Sequence, residues 1–103
     1  MATNISFINY ICERLNGIGS VSYKKMFGEY MIYVNNKPVI IVCDNTAYVK
    51  KLDGIQRFMK NADMGYPYKG AKEHYILDID NSNCQEIILE IEKVTPIPKS
   101  KKK

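Results

Sequence analysis

Two pairs of turn-forming residues, Asn35-Asn36 and Asp44-Asn45, enclose the stretch 37–43 and constrain the fold more than any other feature of this chain. Asparagine and aspartate tolerate the positive φ that tight hairpin turns require. A strand bounded by two such turns runs antiparallel to the strand before it and to the strand after it. Its residues Val39 to Cys43 are continuously apolar, which predicts a central strand covered on both faces or by a helix layer. Thr46 to Lys50 is the next strand. Upstream, Val21, Tyr23 and Lys25 alternate with Ser22 and Lys24, and Tyr30 to Val34 resumes the pattern after Gly28. A glycine inside a strand pattern predicts a bulge or a left-handed residue, so residues 21–34 read as one interrupted strand.

Helical periodicity frames this β region. Ile5, Ile8, Ile11, Cys12 and Leu15 recur at three and four, predicting a helix over 4–16 with Thr3 or Asn4 as cap and Gly17 or Gly19 as terminator. A short helix is predicted over 53–61, capped by Asp53, with Ile55, Phe58 and Met59 inward. Two strands follow, Tyr66-Pro67-Tyr68 at an edge, because Pro67 cannot donate to a ladder, and Glu73 to Ile79. The last helix, with Ile87, Ile88, Ile91 and Val94 as its stripe, opens at Ser82 and Gln85, which have capping-box spacing. It ends before Pro96 and Pro98. The order α-β-β-β-α-β-β-α describes an α+β domain: a two-layer sandwich of helices on an antiparallel sheet, with part of the other sheet face left open. The domain spans 1–95, and 96–103 is a Pro/Lys-rich flexible tail.

Composition narrows the class. No apolar run approaches 18 residues, so no transmembrane helix is expected, and the N-terminus lacks the pattern of a secretory signal. Cys12, Cys43 and Cys84 lie far apart without metal-ligand spacing, and read as buried free thiols. The expected location is the cytoplasm. The net charge of +4 equals the four lysines at 99 and 101–103. Before the tail, residues 14–72 carry +6 and residues 73–98 carry −5, so the domain is neutral and dipolar. A dedicated DNA-binding domain is usually basic throughout.

No catalytic constellation is expected. His74 is the one histidine, and Glu73 beside it would point to the opposite face of a strand. No serine or cysteine stands in a nucleophile-elbow context, and no phosphate-binding glycine motif is present. Asp78 and Asp80 share a strand face, where Asp80 reads as the cap of the last helix rather than a metal ligand. The basic pairs Lys24-Lys25 and Lys50-Lys51, interleaved with Tyr23, Tyr30 and Tyr48, read as solvated strand edges or as a basic-aromatic surface for nucleic acid.

The segment Lys25-Met26-Phe27-Gly28-Glu29-Tyr30 resembles the basic-x-Met-Phe-Gly-Gly-Tyr signature of the TfoX/Sxy N-terminal family, with Glu29 in place of the second glycine. Tyr33, the strand Val39 to Val42, Asp44 and Tyr48-Val49-Lys50 continue the likeness. Tyr66-Pro67-Tyr68-Lys69-Gly70-Ala71-Lys72 is similar to the family's aromatic, Gly-Ala-Lys loop. The resemblance covers roughly residues 4–94. It implies a secretion-chaperone-like α+β fold, a role near transcriptional control of natural competence, and no catalytic residues or cofactor. Met26, Phe27, Gly28, Tyr33, Asp44, Gly70 and Lys72 are then structural motif positions.

The expected function is a non-enzymatic regulatory or adaptor module that binds a protein, by resemblance part of the transcription machinery. Its candidate surface is Lys25, Glu29, Tyr30, Tyr48 and Lys50, since exposed aromatic and polar groups on a rigid scaffold dominate such sites. The alternative is an accessory nucleic-acid-binding protein using the basic pairs, with weak, non-specific binding through the Lys-rich tail. No metal, cofactor or membrane is expected.

Overall fold

The computed structural model describes residues 3–26 and 29–97. Helix α1, Ile5–Arg14, starts where the Asn4 side chain accepts from the Ser6 amide at 2.9 Å. The Asn4 amide in turn donates to Asn45 Oδ1 at 2.8 Å, which ties the helix start to a sheet turn. Four strands follow: β1, Val21–Met26; β2, Glu29–Val34; β3, Lys37–Cys43; and β4, Thr46–Val49. A 3-10 helix, Asp53–Phe58, leads to β5, Met64–Gly65, and β6, His74–Ile76. Helix α2, Cys84–Val94, closes the described fold. The strands form one antiparallel sheet in the order β1-β2-β3-β4-β6-β5.

The α+β class and the two hairpin turns agree with the sequence. Asn35 and Asn36 stand at φ 53° and 67°, and Asp44 and Asn45 at 53° and 58°. The strand count before the central helix is four, one more than the expected order. Met26 pairs with Glu29, so the chain reverses there and residues 21–34 make two strands. The expected bulge at Gly28, and the roles given to Phe27 and Gly28, lie outside the described residues.

Three further elements differ from expectation. The edge strand is Met64–Gly65, while Tyr66 to Tyr68 bends away. Pro67 has no amide to donate, and its ring is buried instead. Asp53 is the first residue of the 3-10 helix, whose cap position is Leu52. The cap position of α2 is Asn83, without a side-chain cap bond. Asp80 instead accepts from the Tyr10 hydroxyl, and Gln85 Nε2 donates to the Arg14 carbonyl at 2.9 Å. Residues expected to cap α2 thus fasten it to α1.

One core lies between the helices and the sheet. Ile8, Ile11 and Leu15 of the first helical segment, and Ile87, Ile88 and Ile91 of α2, pack with Tyr30, Ile32, Val34, Val42, Ala47 and Val49. Burying each such aliphatic side chain contributes roughly 1.5–3 kcal/mol. Strand β3 departs from strict alternation. Ile32 pairs with Ile40, but Tyr33 pairs with Pro38, which leaves Val39 bulged. Val39 and Ile40 are therefore both buried, while Ile41 and Cys43 are half-exposed. The continuous apolar run reflects this bulge over one covered face, and not cover on both faces.

Candidate functional site

Alternation places a second row of side chains on the sheet face away from the helices. Met31 and Tyr33 of β2, Ile41 and Cys43 of β3, Tyr48 of β4 and Ile76 of β6 are all half-exposed, and none enters the core cluster. The register aligns Met31 with Ile41, Ile41 with Tyr48, and Tyr48 with Ile76, so an apolar band crosses four strands. Lys24 lies opposite Met31 at one end, with its ammonium 5.7 Å from the centre of the Tyr33 ring. Lys50, just past the end of β4, is exposed along one side of the band.

The band holds a small cavity of about 90 Å³, lined by Met31, Pro38, Val39, Ile41, Tyr48, Lys50, His74 and Ile91. Val39 and Ile91 belong to the core, so the cavity reaches between the strands beside the Val39 bulge, where β4 has ended at Val49. Sites for small molecules run to roughly 300–1,000 Å³, so this niche suits one side chain of a partner. Gly65 permits part of its wall: a Cβ there would stand 3.2 Å from Tyr48 Cε1. His74 is 8 % exposed, and its Nδ1 lies 2.7 Å from the Lys72 carbonyl. A carbonyl only accepts, so Nδ1 carries the proton in this arrangement.

The structure divides the surface expected from the sequence. Glu29, Tyr48 and Lys50 belong to the open face or its margin. Tyr30 is 9 % exposed and part of the core, with its ring centre 5.8 Å from that of Tyr23. Lys25 lies opposite Tyr30 on the helix side of the sheet, where it is exposed. Of the motif positions, Tyr33 is on the open face, and Asp44 occupies the β3–β4 turn. Gly70 takes φ 89° in the loop before β6, and Lys72 supplies the carbonyl for His74. Met26 ends β1. Met31, Ile41, Cys43 and Ile76 were not anticipated as surface residues, because period two defines two faces without saying which one the helices cover.

The chemistry of the face is that of contact. Burial pushes the Cys43 thiol up, and the Glu29 carboxylate beside it adds to that; burial also raises Cys12 and Cys84. Protonated thiols are poor nucleophiles. A larger cleft of about 510 Å³ lies between residues 57–63 and 76–81. Arg57, Lys60, Asp63 and Asp78 line it, and its lining among the described residues includes no histidine, cysteine or serine. No helix of the described residues is long and apolar enough to cross a membrane.

Comparison with known proteins gives the lineage. The chain is 31% identical over 105 residues to the uncharacterized 12.7 kDa protein in the trpE 5′ region of Spirochaeta aurantia. That match takes in 99% of this chain and 91% of the relative. No solved structure matches. The model of the TfoX N-terminal domain matches residues 13–82, from the end of α1 through β6 to the turn before α2, and the chain therefore belongs to the TfoX N-terminal domain family.

Proposed function

We propose that this domain is a non-enzymatic regulatory adaptor in the cytoplasm that docks a protein of the transcription machinery on the open face of its sheet. The observation that supports this reading is the apolar band Met31–Ile41–Tyr48–Ile76, half-exposed across four strands and indented by a niche sized for one anchor side chain. Lys24 and Lys50 border the band, so the fitting partner presents an apolar segment flanked by carboxylates. Aromatic anchors in desolvated pockets carry most interface energy, which gives Tyr48 the main role and the lysines a role in association rate. Family membership supports a regulatory setting, natural competence included.

The test is affinity capture from the native host with the wild-type domain and with Ile41→Glu, followed by mass spectrometry. A transcription component is expected with wild type and lost with Ile41→Glu, with circular dichroism unchanged. Tyr48→Ala is expected to weaken that complex by about 2 kcal/mol or more. Equal recovery by wild type and Ile41→Glu, or recovery without any transcription component, would refute the reading.

A further inference from the structure

The pairing of β4 with β6, and of β6 with β5, gathers residues far apart in sequence at one corner of the sheet. Val49 pairs with Tyr75 and Gly65 with His74, so the exposed pair Lys50-Lys51 meets the loop of residues 66–72. Lys51 Nζ lies 3.0 Å from Glu73 Oε1 and 5.7 Å from the centre of the Tyr75 ring. Its hydrogen bond to Glu73 holds the ammonium above its ordinary pKa. Tyr66 is 62% exposed and Tyr68 is 50% exposed. Two rings left this open in one short loop are free to stack against a ligand. Lys50, Lys69 and Lys72 are exposed too, and among the described residues none of the three is paired with a carboxylate.

We propose that this corner binds single-stranded nucleic acid, with bases stacked on Tyr66 and Tyr68 and the phosphates on Lys50, Lys69 and Lys72. Tyrosine rings offer a platform to any base whose face is free, and a base pair inside a duplex has none to offer. The lysines supply exposed positive charge for the phosphates of the backbone. Nothing in this arrangement reads the sugar, so DNA and RNA strands bind alike. The corner shares Lys50 with the margin of the open face, whereas Tyr66, Tyr68, Lys69 and Lys72 lie beyond the apolar band, so these four separate the proposal from protein docking.

The experiment measures fluorescence anisotropy of labelled oligo-dT and oligo-U 12-mers and a 12-bp duplex, with the full chain, from 50 to 200 mM salt. The single strands are expected to bind within about threefold of each other and at least tenfold tighter than the duplex. Tyr66→Ala with Tyr68→Ala is expected to lower single-strand affinity at least tenfold and leave the duplex unchanged, which separates the corner from the tail lysines. Lys69→Ala with Lys72→Ala is expected to flatten the log–log salt slope by about 1.4, at roughly 0.7 per phosphate contact. Both pairs are exposed, and unchanged circular dichroism confirms their folds. No preference for single strands, a tenfold preference for one sugar, or a tyrosine variant that binds single strands like wild type would overturn the proposal. Ile41→Glu is expected to bind the oligonucleotides normally, so the two surfaces are tested apart.

Discussion

Gly19 and Asn35 meet at the open end of the β1–β2 hairpin. Asn35 Oδ1 accepts from the Ser20 amide at 3.0 Å, and the Asn35 amide donates to the Ser20 carbonyl at 2.8 Å. A Cβ at Gly19 would stand 2.8 Å from both Nδ2 and Oδ1 of that side chain. Gly19→Ala is therefore expected to destabilise the domain by about 1–3 kcal/mol, read as a lower urea midpoint; an unchanged midpoint would show that Asn35 relaxes freely. Tyr30→Ala is expected to cost about 3 kcal/mol or more, because the ring fills core space. At this scale the turn asparagines were legible, since their chemistry is local. The burial of Tyr30 was not. Tyr30 and Tyr33 stand on opposite rows of one strand, both rows are rich in apolar groups, and the helices that choose between them come from distant parts of the chain.

Helix α2 is held at both ends by contacts that its own sequence does not announce. At its start, Gln85 reaches the carbonyl of Arg14. In its last turns, Lys37 Nζ lies 3.1 Å from Glu92 Oε2 and 3.1 Å from the Glu92 carbonyl, which joins the helix to the beginning of β3. The Lys37 hydrogen bond, helped by Asn35, holds the Glu92 carboxyl below its ordinary pKa of 4.5. A carboxylate depressed by folding adds stability above its unfolded pKa, and this is lost as pH falls through the folded value. Glu92→Gln is expected to lower the urea midpoint at pH 7, with the gap to wild type closing by pH 3. A gap that stays constant would assign the loss to packing. Element existence was legible for both α-helices, from their stripes. The caps of α2 and the strand at 66–68 were misread because a capping-box spacing and an aromatic-proline run each satisfy a local rule that tertiary contacts override.

The whole molecule folds its charge asymmetry onto itself: of the ion pairs among the described residues, Lys37–Glu92 and Lys51–Glu73 each join the basic segment 14–72 to the acidic segment 73–98. The sequence showed the imbalance but not which lysines would be left over; among the described residues these are Lys24, Lys25 and Lys60, and Lys50, Lys69 and Lys72 at the β4–β6–β5 corner. That corner has a further property in strand order. β5 precedes β6 in the chain yet lies outside it, so β5 joins the main sheet only through β6, when β6 docks on β4. The β1–β4 hairpins close over short turns on the microsecond scale, whereas docking β6 requires the chain from 50 to 73 to loop back. Pulsed hydrogen exchange during refolding is expected to protect the amides of Ile32, Ile40 and Val42 before that of Leu77, which bonds the Ala47 carbonyl of β4 at 2.8 Å. Protection of Leu77 in the same phase would mean that the sheet forms as one unit. If β6 is late, a nascent chain acquires the corner only in its final folding step, and any ligand that seats there distinguishes finished molecules from those still on the way.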